Sequence, residues 1–330
     1  MADDAATIDR SMPDQFDRVS LIDPAALMRI KNLQLRAKVV VDGFYNGLHR
    51  SPFHGFSVEF SEYRQYTPGD DPRYLDWKLF ARSDRYYIKR FEDETNRRCH
   101  LLLDISRSME FASITYTKAE YARTLAATLA YYLTLQRDSV GLLTFDNAVA
   151  EFITARSRPG HLHHLLVGLE RASQGNGTDL NAPLEQIASF VSKRGLIIFI
   201  SDLLAPVDSL QTNLGYLRSR GHDVLLIRIL DPAEIALPLK DASVFLDLES
   251  KREMYVDPET SRSEYRSRFQ AHDEQVQTAC TTLGIDYTTL LTDQPLEQAL
   301  FDLLAAQLRQ GRVARRHLPT RHAQRGHSTS

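Results

Sequence analysis

The sequence predicts an α/β fold: a doubly wound, mostly parallel sheet preceded by an N-terminal α+β accessory region. Three observations carry this expectation. From Arg98 onward, apolar runs of strand length alternate with amphipathic helical patterns, the texture of successive βα units. Runs such as "CHLLLD", "SVGLLTF", "GLIIFISD" and "HDVLLIRIL" are apolar at nearly every position, as strands covered on both faces are. Ahead of Arg98, "HGFSVEFSEYRQY" alternates apolar and polar residues, which is the pattern of a strand buried on one face.

The elements follow in order. Residues 1–20 have no hydrophobic period and read as a disordered leader. Asp23 and Pro24 supply an N-cap and a first-turn proline, and one amphipathic helix is expected from there to Gly43. "HGFSVEFSEYRQY" and "DRYYIKRFEDE" are two half-buried strands, which closes the accessory region at residue 97. Residues 98–310 form the main domain. Its strands are those quoted above together with "AVAEFIT", "SVFLDLE" and "DYTTLL". Its helices fall near 117–136, in "HLHHLLVGLERA" and "LNAPLEQIASFVSKR", near "VDSLQTNLGYLRSR", in "SRSEYRSRFQAHDEQVQTACTTLG", and through Leu308. Tyr131 and Tyr132 are expected to pack the first of these helices, and His161, His163 and His164 to be surface residues. Residues 311–330 are a basic disordered tail with five arginines and no acid.

Composition narrows the function classes. The chain has 330 residues, 43% hydrophobic and 25% charged, with a formal net charge of −3, so no global attraction to nucleic acid or anionic membrane is expected. Binding of nucleic acid through the tail stays open only as a minor alternative, because no aromatic is interleaved for base stacking. Cys99 and Cys280 lie far apart without CxxC spacing, which favours two reduced, packed thiols over a disulfide or a zinc site. The N-terminus lacks the basic and apolar regions of a secretory signal. No apolar stretch reaches the roughly 18 residues a spanning helix needs. A cytoplasmic location is the expectation.

In open α/β sheets, ligands sit beyond the carboxyl ends of the strands. "HLLLDISRS" delivers Asp104, Ser106 and Ser108 after one apolar strand, and "LIIFISD" delivers Ser201 and Asp202 after another. "GNGTDL" adds Thr178 in a glycine-rich loop. These carboxylates and hydroxyls are hard oxygen donors suited to Mg2+, or to Mn2+ or Ca2+, whereas zinc would call for His or Cys. A DxSxS pattern alone could equally be an N-capping loop.

The set Asp104-Ile105-Ser106-Arg107-Ser108, then Thr178, then Asp202, resembles the metal-ion-dependent adhesion site (MIDAS) of von Willebrand factor A domains. That resemblance implies that these five oxygen-bearing residues hold a divalent cation, whose remaining position is offered to a carboxylate of a partner protein. Many relatives have Gly where this chain has Arg107, so a charge at the rim is implied here. The wider stretch "GFSVEFSEYRQYTPGDDPRYLDWKLFARSDRYYIKRFEDE", directly followed by such a domain, is similar to the family called domain of unknown function fifty-eight. The similarity runs from about Arg36 to Leu230 and is strongest from Glu62 to Ser108. It implies a non-enzymatic accessory or adaptor of a MoxR-type AAA+ ATPase, acting in protein assembly or remodelling on an unknown client. The absence of a GxxxxGK[ST] loop agrees with that.

The alternative is a metal-dependent phosphoesterase or nuclease, with Asp104 as nucleophile or ligand and Asp70, Asp71 and Asp76 as a second carboxylate cluster. Within "YTPGDDPRYLDWKLFAR", Pro68, Gly69 and Pro72 mark a turn whose donors Asp70 and Asp71 satisfy. A short helix carrying Trp77 follows. This stretch reads as a connector clamped on the sheet, with Asp70, Asp71 and Trp77 as residues that would dock the ATPase if it is instead a binding face, and Arg107 of the DxSxS loop as a further docking candidate.

Overall fold

The computed structural model describes residues 21–50, 62–65, 86–90, 97–171, 186, 190, 191, 193–204, 206–237, 243–246, 253–256, 258–303 and 305. Its centre is a six-stranded sheet made of β3 (Arg98–Asp104), β4 (Ser139–Phe145), β5 (Val149–Arg156), β6 (Leu196–Ser201), β7 (Asp223–Leu230) and β10 (Asp286–Leu291). The strand order is β10-β7-β6-β3-β4-β5. All neighbours run parallel except β5, which is antiparallel to β4 at the edge. The expected doubly wound, mostly parallel α/β architecture is the one observed.

Alternation along each strand divides the core into two layers. Leu101 and Leu103 of β3, Ile198 and Ile200 of β6, and Leu225, Ile227 and Ile229 of β7 face one side. There they meet α3 (Lys118–Leu135), α4 (His161–Glu170) and helical residues 297–303. Leu102, Phe145, Ile197, Phe199, Val224 and Leu226 face the other side, against α5 (Val207–Ser219) and α7 (Pro258–Leu283). Cys99 and Cys280 are free, buried thiols, one in each layer, as the sequence suggested.

The N-terminal segment forms two helices rather than the single one expected: α1 (Pro24–Met28) and α2 (Leu33–Arg50). Asn32 causes the break. Its side chain accepts from Leu35 N at 2.8 Å, starting a new helix, and Arg36 donates to the freed carbonyls of Ile30 and Met28. Both helices join the first core layer. Phe44 of α2 is fully buried, edge-on to Tyr132 at 5.6 Å and tilted against Phe301 at 4.8 Å. Tyr132 thus packs as expected.

Two short antiparallel pairs stand apart from the main sheet. β1 (Glu62–Gln65) pairs with β2 (Tyr87–Arg90), within the two segments read as half-buried strands. β8 (Ser243–Leu246), read from the sequence as part of the main series, pairs instead with β9 (Glu253–Val256), which sequence reading missed. His161 also departs from expectation. It is 7% exposed, and its Nε2 lies 2.7 Å from the carbonyl of Val140. The β4–β5 register shifts between Val140 and Leu142, and that bulge leaves a carbonyl for the first residue of α4 to satisfy. His163 and His164 are exposed, as expected.

Candidate functional site

The winding of the sheet decides where a site can form. From β3 the chain moves to β4 and β5 on one side; from β6 it moves to β7 and β10 on the other. β3 and β6 are neighbours in register, Leu103 opposite Ile200, so the crevice beyond their carboxyl ends is the topological switch point. Asp104 is the last residue of β3, Ser201 is the last of β6, and Asp202 follows it. All three are buried. The structure therefore brings together the first and third segments of the predicted set.

Asp104 is tightly held. Its Oδ1 accepts from Ser106 N at 2.8 Å and its Oδ2 from Ser201 Oγ at 2.5 Å. Burial, and secondarily repulsion from Asp202, push its carboxyl up to about 6, against the pull of those hydrogen bonds. Ser106 precedes a short 3-10 helix, Arg107–Glu110, yet its hydroxyl makes no capping bond. It lies instead 3.1 Å from Ser108 Oγ. The reading of DxSxS as a simple capping loop therefore does not describe this serine. Arg107, between the two serines, is half-buried. Thr178, Asp70, Asp71 and Trp77 lie outside the described residues, as does Asp76.

Asp202 has partners the sequence reading did not assign. Its Oδ2 accepts from Lys118 Nζ at 2.8 Å, and its Oδ1 lies 3.3 Å from Leu204 N. The same ammonium reaches Glu234 Oε1 at 2.6 Å. Burial alone would push Lys118 down, but Asp202 and Glu234 outweigh it and hold the amine above its usual range. Glu234 belongs to α6 (Pro232–Ala236), where its Oε2 accepts from Asp231 N at 2.8 Å and closes a capping box.

On the opposite layer, the fully buried Arg228 of β7 donates through Nε to the carbonyl of Asp202 at 3.0 Å. Its Nη1 lies 2.7 Å from Asp273 Oδ1, and its guanidinium lies over the Phe269 ring. One buried cation from each layer thus grips the Asp202 segment.

Both missed residues left a signal. Lys118 falls on the α3 stripe of Ala122, Leu125 and Leu129, all buried, and a charge on an apolar stripe at helical spacing needs a buried partner. Arg228 interrupts the run "VLLIRIL" in the same way. Ser201 stood beside Asp202 in the sequence but carries no recognisable motif of its own.

The donor set can be weighed against a cation on chemistry alone. Asp104, Ser106 and Ser108 offer carboxylate and hydroxyl oxygens, and Asp104 has no cationic partner among the described residues. Asp104, Asp202 and Glu234 together outnumber the single ammonium between the latter two. Hard oxygen donors with a deficit of positive charge fit a Mg2+-class ion. The fit rests on this small set, since among the described residues no group of three or more His, Cys, Asp or Glu side chains could hold a metal ion.

Comparison with known proteins adds relatives whose own roles are undescribed. An uncharacterized protein of Mycobacterium tuberculosis is 28% identical over 287 residues, covering 86% of this chain and 90% of that one. A second, from Mycobacterium avium, is 32% identical over 126 residues, covering 38% of this chain and 73% of that one. Among solved structures, an aerotolerance-related membrane protein from Bacteroides fragilis aligns with a TM-score of 0.45 at 15% identity, covering 64% of this chain and 99% of that one. The Rpn10 VWA domain aligns with a TM-score of 0.40 at 12% identity, covering 62% and 93%.

The cytoplasmic location expected from the sequence is corrected: the Bacteroides fragilis protein carries the description of a membrane protein, and no compartment is assigned to this chain. The expectation had leaned on the lack of a spanning stretch. Among the described residues no helix is long and apolar enough to cross a membrane, but that does not decide a compartment. Residues 62–279 match the family described as "Protein of unknown function DUF58", and the chain belongs to that family.

Proposed function

We propose that the chain is a non-enzymatic protein-interaction module whose binding depends on a hard divalent cation at the Asp104 corner, and that it serves as an accessory of a MoxR-type AAA+ ATPase. The observation that carries the cation reading is the pairing of Asp104, buried without a cationic partner among the described residues, with the hydroxyls of Ser106 and Ser108 beside it. Asp104, Ser106 and Ser108 would hold the ion, with Asp202 and Thr178 as the contributions of the later segments. When bound, Mg2+, Mn2+ or Ca2+ would supply a Lewis-acidic centre for a carboxylate presented by a client or partner.

The chain's own groups do the positioning. Ser201 Oγ and Ser106 N fix both oxygens of Asp104, so the carboxylate keeps one orientation without a ligand. Leu203 N donates to Ser201 Oγ at 3.0 Å, which leaves that hydroxyl proton for Asp104. The ATPase partner is supported by the family resemblance rather than by geometry.

Capture of the full chain on an immobilised MoxR-type ATPase, with and without chelator, tests the proposal. Binding lost with chelator and in Asp104→Ala is the expected result. Equal recovery in every condition would remove the cation-bridged function.

A further inference from the structure

Lys118 sits where a lysine is costly. It is the first residue of α3, directly after the N-cap Thr117, and a positive charge at a helix N-terminus opposes the helix dipole. Its side chain is also fully shielded from solvent, so the ammonium has lost its hydration. An apolar side chain of similar length would fill the position without either cost. What the ammonium gains is two carboxylates from separate segments: Asp202 Oδ2 at 2.8 Å and Glu234 Oε1 at 2.6 Å.

The remaining oxygens of that cluster are engaged by backbone. Asp202 Oδ1 lies 3.3 Å from Leu204 N, and Glu234 Oε2 accepts from Asp231 N at 2.8 Å. Asp104, which repels Asp202, has only hydroxyl and amide donors among the described residues. The ammonium and a divalent ion would therefore compete for one shared carboxylate, Asp202, which the ammonium already holds.

On the cation reading given above, we propose that Lys118 is a built-in competitor of the divalent ion: it occupies Asp202 and thereby sets how tightly the Asp104 corner takes a cation. Glu234 is the alternative seat of the ammonium. A cation that draws Asp202 towards Asp104 leaves Lys118 paired with Glu234, and so biases α6. Tyr265 of α7 hydrogen-bonds the carbonyl of Glu234 at 2.6 Å, which gives that bias a route to the long helix.

Mn2+ titration of the full chain, with free ion followed by electron paramagnetic resonance, tests this directly. Lys118→Met is expected to tighten Mn2+ binding on the order of tenfold. Lys118→Met/Glu234→Gln, which leaves the net charge of the protein unchanged and removes an orphaned carboxylate, is expected to do the same. Adding Asp104→Ala to the double variant should abolish the gain. Affinity equal to or below that of the wild type in the folded double variant overturns the role of Lys118 while leaving the cation reading intact. No Mn2+ taken up by either the wild type or the double variant overturns both.

Discussion

Lys118 Nζ and Asp202 Oδ2 stand 2.8 Å apart with both side chains shielded from solvent, and the same ammonium reaches Glu234. A charge so placed is stable only while its partners remain. Removing one member of such a pair leaves the other uncompensated in a medium that solvates it poorly. In the absence of divalent cations, Lys118→Met should lower stability by about 3–5 kcal/mol. Adding Asp202→Asn should recover much of that loss. Urea unfolding of the two variants beside the wild type measures both effects.

Arg228 grips the backbone of the same segment. Its Nε bonds the Asp202 carbonyl at 3.0 Å and its Nη1 pairs with Asp273 at 2.7 Å, a two-directional reach that depends on the guanidinium fork. Lysine has no such fork. Arg228→Lys is therefore expected to cost about 1.5–3 kcal/mol, the range for a lost hydrogen bond to a charged group, despite conserving charge. Denaturant unfolding of Arg228→Lys tests this; a change within error would show that the fork is not used.

His100 should make a contribution to stability that is lost on mild acidification. Burial, and then the neighbouring His222 and Arg98, hold its imidazole down to about 4 from a usual 6.5. Between these values the unfolded chain binds the proton and the folded one does not, so this contribution is complete above 6.5 and is lost as pH falls towards 4. Asp138, raised to about 6 mainly by burial, acts in the opposite sense. The measurement is therefore the difference between wild type and His100→Gln across pH 4 to 7. The variant should show the weaker loss on acidification, and parallel curves would contradict the assignment.

The first core layer includes α2, and Phe44 is its buried anchor against Tyr132 and Phe301. Phe44→Ala should lower stability by about 3–5 kcal/mol, as emptying a large core site does. It should do so in a single transition that also reports on the main sheet. Loss of only a minor early transition would mean that α2 folds apart from it.

The parts legible in the sequence were those fixed by local pattern. β3, β6 and β7 could be read because their runs "HLLLD", "LIIFIS" and "VLLIRIL" are covered on both faces. Their order explains why Asp104 and Asp202 meet, and both could be picked out as strand-terminal carboxylates. Elements set by single polar residues escaped. The capping side chain of Asn32 splits the N-terminal helix, and the bulge beside Val140 turns His161 inward. Lys118 and Glu234 are 116 positions apart; no periodicity links them, and only the fold, which brings the start of α3 to Glu234, makes them partners. The odd charges in otherwise apolar patterns were visible, but their meaning required the fold.

The central claim is that the Asp104 corner holds a hard divalent cation. Counting Mn2+ bound per full-length chain by electron paramagnetic resonance, for wild type and Asp104→Ala side by side, tests it most directly. The account predicts one ion per wild-type chain, displaceable by Mg2+, and none at the same concentrations in a folded Asp104→Ala. Equal binding by the two proteins, or none by the wild type, would contradict it.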